Sequence, residues 1–429
     1  MQVDVIIIGG GPSGLMAAIA ASGRGAKVLL LDKGEKLGRK LGISGGGRCN
    51  VTNNHELGEL IRNIPGNGRF LYSALSSFNN QHIIAFFEGL GIRLKEEDNG
   101  RMFPVTDKAQ TVVDTLIAQV RKQGVQIRTN SPVSKIMYDK ENKRVTGVIL
   151  QSSEQIEAPC VVLATGGKSV PHTGSTGDGY AWAEEAGHTI TELFPTEVPI
   201  TLTDSFIQSR ELQGISLRDV ALNVWNPKAK RVIRHTGDML FTHFGISGPI
   251  ALRCSQFIHK VKKQFGIHQV RLTIALFPTE TIDSFYRFIN LKIRQNPKKA
   301  IKNILKPFLP ERMIPVVLRR TDISEDLTGE HVSKNQVSAI VDIMKQFSLH
   351  ADGTLPLEKA FVTGGGVHLK EVNPKTMQSK IMHGLFFAGE ILDIHGYTGG
   401  YNITAAFVTG HTAGTHAAEQ ALESVPSRS

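Results

Sequence analysis

Three glycines, Gly9, Gly11 and Gly14, follow directly on the apolar run Val5-Ile6-Ile7-Ile8. This spacing suits phosphate binding. Gly9 permits a tight turn, Gly11 lets backbone approach a pyrophosphate, and Gly14 lets a helix pack close on the strand. Pro12 and Ser13 complete the loop, and the amides that open the helix offer partial positive charge to phosphates. Asp32, at the end of a second apolar run (Val28-Leu29-Leu30-Leu31), is placed to accept hydrogen bonds from an adenosine ribose. A second stretch with chemical potential is Ser44-Gly45-Gly46-Gly47-Arg48-Cys49-Asn50-Val51-Thr52-Asn53, preceded by Lys33, Lys36, Arg39 and Lys40. It reads as a loop leaving the C-terminal end of the second strand, where ligands of open α/β sheets lie, with bare amides facing a flat ring. Cys49 is the first candidate for a proton donor. Arg48 either stabilises developing negative charge or holds the loop. His243 and His395 are spare acids that read more readily as structural, and Cys160 and Cys254 read as inert apolar residues.

These groups need a scaffold, and the periodicity supplies one. Strand, glycine turn, helix (Leu15, Ala18, Ile19) and strand succeed one another before Asp32. Two helical patterns follow between Gln81 and Gly124, then short strands from Ile127 to Leu163 that read as a crossover meander ending in Ala164-Thr165-Gly166-Gly167. In Thr176-Gly177-Asp178-Gly179, Asp178 reads as a helix N-cap. Near Glu192 the pattern changes to period two, with turn signals at Asn226-Pro227 and Thr236-Gly237-Asp238, which predicts a small β-barrel or sandwich. From about residue 278 it becomes helical, and Ser333 with Gln336 forms a capping box ahead of Val337, Ile340, Val341 and Met344. The last eighty or so residues return to the opening architecture. There a buried strand ends in Gly389-Glu390, Gly399-Gly400-Tyr401-Asn402 follows, and a helix runs from about Ile403 towards Ala421. The predicted organisation is therefore a nucleotide-binding domain over residues 1–191, a barrel insert over 192–277, a helical insert over 278–348, and a return over 349–429 through the barrel edge to the first domain.

Composition narrows the options. The 429 residues carry a net charge of +10, which a small-molecule enzyme does not need and which makes a polyanionic partner worth considering. From Arg287 to Arg320 there are ten Lys or Arg against one acid, Glu311, nearly the excess of the whole chain. The two readings of this span are a solvated helical surface and an electrostatic footprint for RNA. Three widely spaced cysteines form no disulfide framework or zinc site, so no metal is expected and a reducing cytoplasm fits. The N-terminus reads as a strand rather than a signal peptide. No run of 18 or more apolar residues exists, so no membrane span is expected.

The nucleotide fingerprint with Asp32, the Ala164-Thr165-Gly166-Gly167 and Gly389-Glu390 strand ends, and Thr176-Gly177-Asp178-Gly179 resemble those of flavoproteins with two dinucleotide-binding folds. Ser44 to Asn53 and Gly399-Gly400-Tyr401-Asn402 further resemble the BaiN/YhiN-like flavoproteins, over essentially the whole chain. The resemblance implies an α/β fold, a Rossmann-like FAD-binding domain of the glutathione reductase type with inserted barrel and helical domains. It implies FAD as cofactor and reduction of a carbon–carbon double bond next to a carbonyl. Members act on bile-acid-type enones or on uracil in ribosomal RNA, giving dihydrouridine. FAD contacts are then expected from Gly9, Gly11, Pro12, Ser13, Gly14, Asp32, Lys33, Lys40, Ser44, Gly45, Gly46, Arg48, Cys49 and Asn50. Further contacts are expected from Ala164, Thr165, Gly166, Gly177, Gly389, Glu390, Gly400, Tyr401, Asn402 and Ile403, with Val133 meeting the adenine through its backbone. Gly389-Glu390 would meet the ribityl or pyrophosphate. The helix from Asn402 would point its positive end at the flavin pyrimidine, where reduced flavin is negative. One dinucleotide fingerprint is present rather than two, so NAD(P)H is expected to visit transiently, with Lys36, Arg39 or Lys40 near its 2′-phosphate. Three functions stay open: a ribosomal RNA uridine reductase gripping phosphates through 287–320, a small-molecule enone reductase, and a non-catalytic flavin-bearing RNA-binding factor.

Overall fold

The computed structural model describes residues 3–423, which divide into two compact units, one comprising the chain up to Phe194 and from Leu357, the other Pro195–Pro356. The first is built on a five-stranded parallel sheet in the order Leu385–Phe387, Cys160–Leu163, Val5–Ile8, Val28–Leu31, Gln126–Arg128. Val5–Ile8 lies at its centre, with Ile8 paired to Leu163 on one side and Leu31 on the other. A central parallel strand is covered on both faces, so its run is wholly apolar rather than alternating, and all four residues are buried. The helix Pro12–Gly23 follows at once, with Pro12 in its first turn, where a missing N–H costs nothing. The helix Tyr401–Glu423 packs along it through two glycines: a Cβ at Gly410 would overlap the Ser13 carbonyl oxygen, and one at Gly414 that of Ala17. The strands Val133–Asp139, Arg144–Leu150 and Gln155–Glu157 form the expected antiparallel meander.

The second unit contains a closed six-stranded antiparallel barrel. Ile200–Leu202 pairs with Gly245–Ser247 on one side and closes on Phe347–Thr354 on the other. The helices Ile282–Arg294, Met313–Arg320 and Lys334–Lys345 share one continuous apolar core with the barrel strands. The Ser333–Gln336 capping box forms as expected, and Val337, Ile340, Val341 and Met344 are buried on one helix face. Each such side chain contributes roughly 1.5–3 kcal/mol on burial. Two local expectations fail. Thr236-Gly237-Asp238 is not a turn but lies within the strand Arg231–Phe241, where the register against Ser216–Trp225 shifts at Gly237. The bulge lies on the facing strand, where Arg218 and Asp219 oppose the single residue Asp238, and strand pairing continues on both sides. Asp178 is not the N-cap. Gly177 holds that position at φ +86, and Asp178 is the first helical residue.

Candidate functional site

The nucleotide loop has the form its glycines dictate. Gly9 adopts φ +105, and a Cβ there would overlap the Ala164 carbonyl oxygen, while one at Gly14 would overlap the Gly9 carbonyl oxygen. A Cβ at Gly11 would meet nothing within 4 Å. Gly9 and Gly14 are therefore fixed by packing, whereas Gly11 faces open space as a phosphate cradle requires. Gly11 is also the N-cap of Pro12–Gly23, and no side chain caps the helix, so its first amides stay available to an anion. Asp32 closes the cradle: its carboxylate accepts from the amides of Gly10 (2.7 Å) and Gly34 (2.7 Å). Both bonds fix its orientation and leave lone pairs for a ribose hydroxyl. The Thr165 hydroxyl oxygen is buried without a hydrogen-bond partner in the strand end Ala164-Thr165-Gly166. An open glycine, uncapped helix amides, an oriented acid and an orphaned hydroxyl fit an adenine dinucleotide.

The last strand and helix converge on this loop. A Cβ at Gly389 would stand 2.5 Å from Ser13 Oγ, and the Gly389 amide donates to Thr409 Oγ1 of the final helix (2.9 Å). Glu390 is buried. Its Oε2 accepts from Lys40 Nζ (2.6 Å), and its Oε1 accepts from the Thr363 amide (2.7 Å) and Ser169 Oγ (3.0 Å). Burial alone would push this carboxyl up, but Lys40, Thr363 and Ser169 hold it below the usual carboxylate range. Glu390 and Lys40, both expected to contact cofactor, pair with one another across the crevice wall. Lys33 likewise pairs with Asp178 (2.5 Å). Val133 is buried at the start of its meander strand.

The two other motifs meet each other. Thr52 Oγ1 and Thr404 Oγ1 share a hydrogen bond (2.7 Å), Asn53 Nδ2 donates to the Gly399 carbonyl (3.0 Å), and a Cβ at Gly400 would stand 2.6 Å from the Thr52 carbonyl oxygen. Asn50 Oδ1 accepts from the Met102 amide (3.1 Å). Asn402 closes its own turn, donating to the carbonyls of Gly396 (2.8 Å) and Tyr397 (3.2 Å) and accepting from the Gly396 amide (2.8 Å). Tyr401, buried beside it, shares a hydrogen bond with His55 Nδ1 (3.1 Å), and Ile403 lies in the first turn of the helix.

The stretch from Ser44 differs from the expected open loop. Arg39–Gly47 is helical with a break at Ser44 (ψ 152), Gly45 and Gly46, the two glycines having φ +57 and +68. Arg48 is held by Glu97 (2.8 Å) and Asp107 (3.5 Å), with its guanidinium 4.1 Å from the Phe103 ring. Of its two expected roles, this arrangement favours holding the loop. Cys49 is fully buried at φ +61, and burial pushes its thiol up to about 12. This covered position is that of a packing residue, the alternative to the proton-donor role expected of it. Cys160 and Cys254 are buried and free, their thiols also raised by burial. His395 is buried, and His243 lies against the Phe244 ring. Among the described residues no group of three or more His, Cys, Asp or Glu is placed to hold a metal, and no helix is long and apolar enough to cross a membrane.

The basic span is partly neutralised. Lys302 pairs with Asp326 (2.7 Å), Lys306 with Glu311 (2.9 Å), Arg320 with Asp204 (3.3 Å), and Arg319 with Glu211. Arg294 and Arg312 donate to backbone carbonyls. Among the described residues Arg287, Lys292, Lys298 and Lys299 make no salt bridge, and Lys292 lies 5.6 Å from the ring of the exposed Phe288.

Sheet order, cradle and converging last helix define a flavoprotein-type oxidoreductase with a Rossmann-like domain and an inserted barrel. Comparison with known proteins specifies the family: residues 3–416 match the HI0933-like protein Rossmann domain, and the chain belongs to that family. It is 32% identical to a ribosomal RNA dihydrouridine synthase of Haemophilus influenzae, covering 94% of this chain and 95% of that one. It is 30% identical to a 3-dehydro-bile acid delta(4,6)-reductase of Clostridium scindens, covering 96% and 98%. Among solved structures, the 3-ketosteroid-delta4-(5alpha)-dehydrogenase of Rhodococcus jostii RHA1 shares the fold at a TM-score of 0.53 with 16% identity, covering 97% of each chain.

Sequence reasoning missed several residues. Thr404 and Thr409 carry no motif of their own. Thr363 and Ser169 become relevant only through Glu390. Gly410 and Gly414 were legible in principle as a small-x-x-x-small spacing, which lets two helices approach closely.

Proposed function

We propose that this protein is an FAD-dependent oxidoreductase that reduces a carbon–carbon double bond conjugated to a carbonyl, with uridine in ribosomal RNA as its substrate and NAD(P)H as donor, acting in the cytoplasm. The overall change adds one hydride and one proton across the bond, and the reduced nicotinamide becomes NAD(P)⁺. Bound FAD supplies the hydride transfer. The chain's own residues provide the rest. The Gly11 cradle and the uncapped helix take the pyrophosphate, and Asp32 orients the ribose. The Thr52–Thr404 and Asn53–Gly399 bonds lock the start of the last helix beside the Ser44–Asn53 segment, so its amides are preorganised where negative charge develops. The observation that carries the reading is the cradle itself, glycines closed by packing at Gly9 and Gly14 and open at Gly11.

RNA is favoured over a small enone by Arg287, Lys292, Lys298 and Lys299, which make no salt bridge among the described residues, and by Lys292 lying over the exposed Phe288 ring, since cations with an aromatic face suit phosphates and bases together. The name of the Haemophilus relative points the same way, and that of the Clostridium relative supports the enone reading. Mapping dihydrouridine in ribosomal RNA with and without the gene tests the proposal. Loss of a dihydrouridine, restored by the wild-type chain, supports it. An unchanged map with NAD(P)H oxidation stimulated only by small enones favours the second reading. Rescue by a variant that binds no flavin favours a non-catalytic RNA-binding role.

A further inference from the structure

The barrel strands Ser216–Trp225 and Arg231–Phe241 of the second unit are joined by a turn that presents charge of one sign. From Asn226 to Arg234 there are four Lys or Arg (Lys228, Lys230, Arg231 and Arg234) and no acid. The acids of these strands, Asp219 and Asp238, stand together at the far end, where the Asp219 amide donates to Asp238 Oδ1 (3.1 Å). The turn itself is fixed. Asn226 Oδ1 accepts from the amides of Lys228 (3.0 Å) and Lys230 (2.9 Å), and the Asn226 amide donates to the Lys230 carbonyl (3.0 Å). The cations are thus carried on a set backbone, which lowers the ordering cost of binding.

Trp225 lies at the base of this turn, half-buried and opposite Arg231 in the strand register. Its Nε1 donates to Thr273 Oγ1 of the neighbouring strand Val270–Ala275 (2.9 Å), which pins the indole against the sheet. The guanidinium of Arg271, on that same strand, lies 5.7 Å from the ring. Arg234 is engaged by the Pro278 carbonyl (3.1 Å). Lys228, Lys230, Arg231 and Arg271 are exposed and, among the described residues, make no ion pair. A flat ring edged by uncompensated cations suits single-stranded nucleic acid, whose bases stack on the ring while its phosphates meet the charges. A membrane surface would need an apolar face to insert, and Val232 is the one large apolar side chain exposed on this hairpin.

We propose that the Trp225–Arg234 hairpin, with Arg271, binds single-stranded RNA, a base stacking on Trp225 and the backbone following Lys228, Lys230 and Arg231. This rests on the ribosomal RNA reading above and deepens it: the substrate is taken as an unpaired strand, and the barrel shares the grip with the separate span from Arg287 to Arg320. Of the two surfaces, only the barrel hairpin carries a tryptophan.

Titration of the flavin-loaded protein with a short oligouridylate, followed by tryptophan emission, tests it. The other tryptophan, Trp182, is buried, so quenching reports on Trp225. The expected result is quenching that Trp225→Phe abolishes, and an affinity lower by about fivefold or more in Trp225→Ala, the scale of one stacked base. The quadruple variant Lys228→Gln, Lys230→Gln, Arg231→Gln, Arg271→Gln should lose at least about tenfold in affinity. Its slope of log affinity against log salt should flatten by roughly 3, about 0.7 for each lost phosphate contact. All four side chains are exposed, so its thermal melt and flavin content should match the wild type. Binding of the oligonucleotide with unchanged emission, or with the same affinity and salt slope in the quadruple variant, overturns the assignment. Quenching by vesicles of phosphatidylglycerol but not by RNA overturns it in favour of a membrane surface. No turnover is measured, so an unaltered dihydrouridine map, which would sink the substrate reading, leaves this result standing.

Discussion

Two glycine-rich segments of the first unit are glycine-rich for opposite reasons. In Gly9–Gly14, Gly9 and Gly14 are required because other backbone occupies the space a Cβ would need, Gly10 because the Leu37 side chain does, and Gly11 alone faces open space. In Gly45–Gly47 all three have positive φ, and Gly46 and Gly47 face nothing within 4 Å. The first segment is constrained by volume and the second by dihedral angle. A motif therefore says that backbone is special at a place without saying whether a ligand, a packing partner or a turn makes it so.

Substitutions separate these causes, and the largest effect is expected at Gly14. Gly14→Ala drives a methyl into the Gly9 carbonyl and should cost about 3 kcal/mol or more, seen as a lower urea midpoint and failure to retain flavin. Next comes the Lys40–Glu390 pair, which ties the helix leading to the second segment to the strand end beside the first. Glu390→Gln should cost roughly 2 kcal/mol, below the usual ~3–5 for a fully buried pair because part of Lys40 stays in water. Its pH signature has a defined sign. A carboxyl whose folded pKa is lowered contributes stability that is complete above its unfolded pKa of about 4.3 and is lost as pH falls through the lower folded value. The wild type should thus lose stability in acid more steeply than the Gln variant, which thermal melts across pH 3–7 (a range of roughly four units about that reference value) would show.

Gly11→Ala sharpens the contrast most. Gly11 has φ −78, open to any residue, and its Cβ meets no protein atom. Stability should stay level or rise by about 0.4–1 kcal/mol, while flavin affinity falls at least about tenfold, the effect of one lost phosphate contact. A variant that kept its flavin would break the cradle assignment. Gly46→Ala should cost roughly 1–2 kcal/mol through its left-handed backbone, with flavin still bound. Cys49→Ala should do least, leaving flavin reduction and most turnover intact. A large drop in turnover with unchanged folding would restore the thiol as proton donor.

The opening strand, glycine turn and acid were legible because each is local: an apolar run, a dihedral requirement and a chain end lie within one short stretch. The capping box at Ser333 and Gln336 was legible for the same reason. The second segment read as a loop throughout, whereas Arg39–Gly47 is helical and its glycines break that helix instead of preventing it. What sequence did not disclose is partnership. Arg48 with Glu97, Lys40 with Glu390, and Thr52 with Thr404 join residues 49, 350 and 352 positions apart. No periodicity encodes such a meeting, and these pairings decide whether a charged residue serves ligand or scaffold.

One consequence concerns the order of synthesis. The outermost strand of the parallel sheet, Leu385–Phe387, and the helix whose Gly410 and Gly414 embrace the first helix leave the ribosome long after Cys160–Leu163 has emerged. At about 5–20 residues per second this delay is on the order of ten to forty seconds. Throughout it the nascent sheet has a bare edge, and the cofactor's seat lacks its far side. Coenzyme loading must therefore be a late, post-translational event, and a ribosome stalled within the barrel-bearing segment would display an apoprotein unable to hold its chromophore.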